Sequence, residues 1–406
     1  MSTAFVVQAN FRNWEGSPDF SVQNVDGKPV VWHVVQKILT RWDGAQVVIA
    51  VPDLEENRFF AEVAAELDVK IYYGELDDVL LRIVGAAKLW QADVLVRVLG
   101  MHYFFDTELA EGMIRLHEQE AYDIVKTPDD FDIKKSVEVV SLNALERLDE
   151  VLRSSDELKD RSDIRVAPMH YMACRPDLFK VGIYEDLPVY SREQQLEMRT
   201  QAEKIYSIYN CDHIPFLPEH ASNSVLLRHY EVALEYVDAD TDVLDIACGD
   251  GYGSKLLASK AGRVVGVDIS EEQVKSASEA YKGDGLEFAV GDATDTGYGD
   301  ASFDLITSME TIEHVDDVDG YLNEMYRLLR PGGRFVISTP QNSSGEIPLI
   351  PSHLREYSLE AFKSLLSKDF EVEKIIGFKA GNLCVEGDQK GTGMMAICKK
   401  NRGKVR

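Results

Sequence analysis

Cysteine is scarce in this 406-residue sequence, and the five that occur, Cys174, Cys211, Cys248, Cys384 and Cys398, are odd in number and far apart. No Cys-x-x-Cys pair is present, which removes the common zinc and dithiol-redox arrangements and leaves reduced, mostly buried thiols as the reading. Basic residues are also in short supply: 43 Lys and Arg stand against 70 Asp and Glu, a formal charge of −27. A surface so acidic repels phosphate backbones and anionic headgroups, so nucleic acid is not expected as a partner. Long apolar runs are missing too. No stretch approaches the roughly 18 residues that a membrane helix needs, and Met1-Ser-Thr-Ala-Phe lacks the basic end and apolar core of a signal peptide. The expectation is a cytoplasmic chain that is not an integral membrane protein.

What is present is an ordinary globular composition, 45% hydrophobic and 28% charged, at a length that favours at least two domains. Residues 1 to about 145 alternate β-rich runs (Ala4 to Gln8, Gln46 to Val51, Val69 to Tyr73, Val94 to Val98) with helical spacing over Pro29 to Leu39, Glu56 to Leu67 and Asp77 to Trp90. From about Leu148 to His213 the pattern turns charged and irregular, as suits a connector or a solvated helix near Ser191 to Lys204. Strands and helices alternate again from Ser222 to about Cys398, and Lys399 to Arg406 reads as a disordered basic tail. Two α/β units follow, each expected to be doubly wound. The expected divisions are residues 1–160, a connector over 161–215, and residues 216–400.

The strongest local signal is Asp245-Ile-Ala-Cys-Gly249-Asp250-Gly251-Tyr-Gly253, between an apolar strand and a helical run. Glycines at such a turn let a ligand approach main-chain N–H groups. The next strand ends in Asp268, 19 residues after Gly249, where a carboxylate can accept both ribose hydroxyls. A third strand ends in Gly291-Asp292-Ala293, placing another carboxylate at the crevice where a base amino group can be held. Charge selects the nucleoside. Asp245 and Asp250 would oppose the pyrophosphate of a dinucleotide, whereas a sulfonium and an α-ammonium favour them.

On these residues the segment from about Phe216 to Lys400 resembles a class I S-adenosylmethionine-dependent methyltransferase with a Rossmann-like fold. Phe303-Asp-Leu-Ile-Thr-Ser-Met-Glu310-Thr-Ile-Glu313-His314-Val315 and Leu328-Leu-Arg-Pro331-Gly332-Gly333 fall in the family's order. The resemblance implies that Gly249 and Gly251 line the methionine end of S-adenosylmethionine, with Asp245, Tyr230 and Glu310 also at the cofactor. It further implies that Asp268 and Ile269 meet the ribose side and that Asp292 and Ala293 flank the adenine. Tyr230 can equally be helix packing.

A sulfonium methyl is already electrophilic, so catalysis is largely positioning, with a base needed for a sugar hydroxyl. His314 and His353 are the candidate bases, both in loops at the family's substrate-facing edge. Pro351-Ser-His353-Leu-Arg355-Glu-Tyr357-Ser358 is similar to a stretch of methyltransferases of bacterial glycan assembly, which implies Arg355 and Tyr357 at the acceptor, Arg355 against an anionic group. Glu310, Glu313, Asp316 and Asp317 offer oxygens suited to a divalent metal, but acids in a helix-starting loop read first as caps or solvated surface, and no metal is assigned.

The first half is similar to the nucleotidyltransferases of spore-coat polysaccharide and sugar-acid activation, which share a nucleotide-diphospho-sugar transferase-like fold. The similarity runs through Val6-Val-Gln8-Ala9, Asp26-Gly27-Lys28-Pro29, Val48 to Asp53, Gly74 to Leu80, Ala92 to Arg97 and Val137 to Val140. Two departures stand out. The basic triphosphate loop is replaced by Asn10-Phe-Arg12-Asn-Trp-Glu15-Gly-Ser-Pro-Asp19, and the magnesium-holding Gly-Asp by Gly100-Met101, with Asp106 a substitute only if the loop is rebuilt. The expectation is a methyltransferase acting on a hydroxyl of a sugar, nucleotide sugar or glycan during surface polysaccharide synthesis. Its first domain would lack nucleotidyl transfer and serve acceptor binding or assembly, the alternatives being a bifunctional cytidylyltransferase-methyltransferase or a non-catalytic assembly scaffold. A homo-oligomer or a glycan-assembly partner fits either role.

Overall fold

The computed structural model describes residues 1–12, 18–159, 161–206, 225–343, 347–379 and 388–400. The chain divides into two compact units, Met1–Ile208 and Tyr209–Arg406.

In the first unit the strands are β1 (Thr3–Gln8), a short hairpin β2 (Asn24–Val25) and β3 (Lys28–Pro29), β4 (Gln46–Pro52), β5 (Lys70–Gly74), β6 (Val94–Leu99), β7 (Ile124–Lys126), β8 (Glu138–Ser141) and β9 (Val181–Ile183). Seven of them form a sheet in the order β5-β4-β1-β6-β8-β7-β9. The β5 to β6 half is parallel, and β8 runs antiparallel to both β6 and β7. Val47 to Val51 and Leu95, Val96 and Val98 are buried, so these strands are apolar on both faces, as a sheet covered by helices requires. The helices Val30–Arg41, Phe59–Glu66 and Val79–Lys88 fall where the spacing expects them.

The stretch expected as a connector is instead built into this unit over its described part. Met169, Met172 and Phe179 are core residues, and β9 pairs with β7 as the last strand of the sheet. Its surface charges mask a few apolar anchors, Met169 and Met172 on the short helix Pro168–Ala173 and Phe179 beyond it. The helix Arg192–Tyr206 closes the unit, with Tyr206 edge-on to Phe20 at 4.8 Å. The expected domain start at Phe216, together with Cys211 and Cys384, lies outside the described residues.

The second unit contains β10 (Asp242–Ile246), β11 (Arg263–Asp268), β12 (Leu286–Val290), β13 (Phe303–Ser308), β14 (Leu329–Pro340), β15 (Phe370–Phe378) and β16 (Gly393–Lys400). Their order is β12-β11-β10-β13-β14-β16-β15, parallel as far as β14, with β16 antiparallel to both of its neighbours. Lys399 and Lys400, expected in a disordered tail, are the last two residues of β16, where they pair with Glu371 and Phe370. The chain leaves β10 toward β11 on one side and returns to β13 on the other. That reversal opens a crevice at the carboxyl ends of β10 and β13, the usual ligand position in such sheets.

One face of this sheet is packed by Phe303, Tyr321, Phe335, Phe362 and Phe370, all 2% exposed or less. Removing one such ring leaves a void that the surrounding sheet cannot fill. Phe335→Ala is therefore expected to cost about 3–5 kcal/mol, seen as a lowered urea midpoint of the second unit; a shift under about 1 kcal/mol would contradict this packing.

Candidate active site

The loop between β10 and the helix Tyr252–Leu257 is forced into left-handed backbone at three positions, Ala247 (φ 56°), Gly249 (φ 54°) and Gly251 (φ 83°). Gly251 has no space for a side chain, since a Cβ there would sit 2.7 Å from both Ala277 and the Phe288 ring. Gly266 on β11 meets the same ring, at 2.6 Å. The turn is thus seated directly on the neighbouring strands, and its backbone can face a ligand closely.

Behind the loop, Asp245 is fully buried. It accepts hydrogen bonds from the hydroxyls of Ser254 (2.6 Å), Thr307 (2.8 Å) and Tyr230 (3.1 Å). Burial raises its carboxyl to about 6 against the pull of those three donors. Tyr230, 3% exposed, presses its ring where a Cβ on Gly253 would fall, 2.0 Å away. Asp245 and Tyr230 were both expected at the cofactor. The structure places them behind the loop as its support, where neither offers surface to a ligand.

Asp268 does stand at the crevice. Its Oδ2 accepts from Gly249 N at 2.9 Å and its Oδ1 from Ser270 N at 2.9 Å, which fixes the carboxylate at the end of β11. Ile269 beside it is 72% exposed. Asp292 is exposed; its Oδ1 accepts from the Thr294 N–H and hydroxyl, both at 2.7 Å, and these bonds hold its carboxyl below the usual range. Ala293 packs partly against the core.

Past β13 lies a cluster of acids and imidazoles. Glu310 has left-handed backbone (φ 51°), and its carboxylate accepts from Ser338 Oγ at 2.7 Å. Burial raises that carboxyl to about 7, with the Ser338 bond opposing and Glu356 reinforcing. Glu313 is fully buried and accepts from Thr339 Oγ1 at 2.9 Å; burial, and then the charge of Glu310, push its carboxyl up. His314 and His353, far apart in sequence, meet with ring centroids 4.9 Å apart. His314 donates from Nδ1 to the Ser352 carbonyl at 3.1 Å, and His353 from Nδ1 to Glu356 Oε1 at 2.8 Å.

Of the other expected site residues, Arg355 donates to the Asp316 carbonyl at 3.3 Å, while the Tyr357 ring packs on Phe362 at 5.9 Å. Asp317 caps the helix Val318–Leu328 through Gly320 N, and the Asp316 side chain is fully exposed. Sequence reasoning missed Glu356 and Ser338, whereas His229, beside Tyr230 in Leu227-Arg-His-Tyr-Glu, is expected from the resemblance to help cover the methionine carboxylate. Glu356 could have been found from its position three residues after His353; Ser338 and His229 meet (Oγ to Nδ1, 3.4 Å) only through the fold.

In the first unit, part of the expected phosphate loop, residues 13–17, lies outside the described residues. Arg97 on β6 is paired with Glu138 at 2.6 Å and with Gln8 at 2.9 Å. Asp106 caps the helix Thr107–Glu120, accepting from Glu108 N and Leu109 N, and takes the Tyr190 hydroxyl at 2.8 Å. Both of its oxygens are therefore engaged. Among the described residues no helix is long and apolar enough to cross a membrane.

The family described as "Methyltransferase domain" matches residues 244–337. A probable S-adenosylmethionine-dependent methyltransferase of Mycolicibacterium smegmatis is 35% identical over 185 residues, 44% of this chain and 71% of that protein. Methyltransferase GfsG of Streptomyces halstedii is 40% identical over 107 residues, 25% of this chain; the chain spans only 38% of that relative's length. Among solved structures, a cytidylyltransferase from Leptospira borgpetersenii aligns with 18% identity and a TM-score of 0.41, covering 52% of this chain and 88% of that one.

His229 gives this site a pH signature. It is buried against Phe378 (centroids 4.2 Å apart), and burial lowers its imidazole to about 3. The unfolded chain takes up the proton first as pH falls, so the histidine's contribution is whole above pH 6.5 and is lost toward pH 3. Between pH 7 and pH 3 the wild type is expected to lose about 4 kcal/mol more than His229→Gln in urea unfolding; parallel pH profiles would contradict this.

Proposed function

The chain belongs to the S-adenosylmethionine-dependent methyltransferases through its second unit, and from that membership we propose that it methylates a hydroxyl of a sugar, nucleotide sugar or glycan in surface polysaccharide or glycoconjugate synthesis. The crevice suits the family's cofactor. Gly249 and Gly251, both on left-handed backbone, would take the methionine end. Asp268 would take the ribose hydroxyls, and the exposed Ile269 with Asp292 and Ala293 would border the adenine. Glu310, held by Ser338, would close the cofactor side toward the acceptor.

The observation that carries the choice of an oxygen acceptor is the pairing of His314 and His353 beside three glutamates, Glu310, Glu313 and Glu356. A sulfonium methyl needs no activation, and a thiolate or an unprotonated amine needs little help; a hydroxyl must lose its proton, and such a cluster can accept one. In the transfer the acceptor O–H bond breaks with its proton passing into the cluster, an O–C bond forms, and the S–C bond breaks with its electron pair left on sulfur. Arg355 at the rim would face an anionic group of the acceptor, with Tyr357 beside it.

The first unit is proposed as a nucleotidyltransferase-like domain without nucleotidyl transfer, used to bind the acceptor or an assembly partner. Supporting this, Arg97 is already neutralised by Glu138, and Asp106 is engaged as a helix cap. Two ligands separate the readings. Calorimetry should show one S-adenosylhomocysteine per chain, weakened at least about 10-fold by Asp268→Ala, and no heat with CTP and magnesium. CTP binding would replace the proposed role of the first unit with an active cytidylyltransferase, and silence with S-adenosylhomocysteine would sink the methyltransferase assignment.

A further inference from the structure

Glu313, His314 and His353 bring one carboxylate oxygen and two imidazole nitrogens within 4.8 Å of one another. His314 Nε2 lies 4.0 Å from Glu313 Oε1. Glu313 is 0% exposed, and this oxygen has no hydrogen-bond donor, although its other oxygen takes the Thr339 hydroxyl. A buried carboxylate oxygen left without a donor is costly unless a positive charge meets it. It faces the two imidazoles. We propose that Glu313, His314 and His353 form a binding site for a divalent first-row transition-metal ion, which holds and acidifies the acceptor hydroxyl.

Each ligand is oriented from behind, as metal ligands generally are. The Nδ1–H of His314 is spent on the Ser352 carbonyl and that of His353 on Glu356, which puts both lone pairs on Nε2. Glu356 is in turn held by Asn342 Nδ2 at 3.1 Å. The two segments are tied together by Leu354 N donating to the Glu313 carbonyl at 2.9 Å. An ion with bonds of about 2.1 Å needs its ligands roughly 3 to 4 Å apart, within small side-chain rotations of the present spacing. Two imidazoles and one carboxylate with open positions suit Mn²⁺, Co²⁺ or Zn²⁺ better than Mg²⁺, which prefers oxygens alone. The ion would also balance the mutual repulsion of Glu310, Glu313 and Glu356.

The catalytic part of this inference rests on the hydroxyl reading above. An ion held by these three ligands would lower the pKa of an acceptor hydroxyl at an open position, and Glu310 is the neighbouring carboxylate that would take the hydroxyl proton as the oxygen attacks the methyl group. His314 and His353 then act as ligands, and neither serves as a free base.

The test uses the full chain, stripped with a chelator and saturated with S-adenosylhomocysteine, titrated with Mn²⁺ by electron paramagnetic resonance. One Mn²⁺ per chain is expected, with Co²⁺ giving visible d–d absorption. Glu313→Gln and His353→Asn should each weaken uptake at least about 30-fold, while Asp317→Asn leaves it unchanged. S-Adenosylhomocysteine affinity measured on each variant reports that the unit is folded; should Glu313→Gln fail that control, the partly exposed His353 carries the comparison. Normal S-adenosylhomocysteine binding without stoichiometric Mn²⁺, Co²⁺ or Zn²⁺ uptake, or unchanged uptake in folded His353→Asn, overturns the site. Metal uptake without S-adenosylhomocysteine binding would support the site and overturn the methyl-transfer reading instead.

Discussion

The second unit depends on a single buried carboxylate. Asp245 ends β10 and gathers three hydroxyls from three directions: Tyr230 from the preceding helix, Ser254 from the helix that follows the loop, and Thr307 from β13. A charge or a hydrogen-bonding acid in that position is expensive to bury and worth little if any partner drifts away. The network therefore fixes the helix, the glycine turn and the adjacent strand at the same time. What a ligand meets at Gly249 and Gly251 is the outer side of this arrangement.

Much of this was legible in the sequence because it is local. Apolar runs marked the strands, and the glycine turn with Asp268 19 residues on marked the crevice. The partnerships were not local. Nothing in the sequence ties Ser338 to His229, 109 positions apart, or brings His353 beside His314. Asp245 and Tyr230 are legible as site residues, but only the fold shows them bonded to each other behind the glycine turn, since a motif identifies which residues surround a site and not which of them face it. The charged stretch after Leu148 illustrates the opposite failure: Met169, Met172 and Phe179 are too sparse to set a period, yet they are sufficient to seal one end of a core.

Both units spend acids on local partners, as Asp242 and Asp304 are spent on Arg330, and the second also gathers a group of them in one place. In the first, Asp106 and Glu138 are spent locally, on a helix end and on an arginine. In the second, Glu310, Glu313 and Glu356 share one neighbourhood, with Arg355 donating to a backbone carbonyl at its edge.

The ring of Phe288 has a bearing on how this fold can change over time. Gly251 in the turn and Gly266 on β11 both lie against it, closer than any real side chain could. The three positions make one steric unit drawn from a loop and two strands. A smaller residue at 288 would relieve only part of the crowding, since a Cβ at 251 would still sit 2.7 Å from Ala277 on left-handed backbone and one at 266 would sit 2.8 Å from Ser254 Oγ. Drift at Phe288 alone would therefore leave the turn as it is; rebuilding it needs the helix residue Ala277 and the left-handed backbone at 251 to change as well.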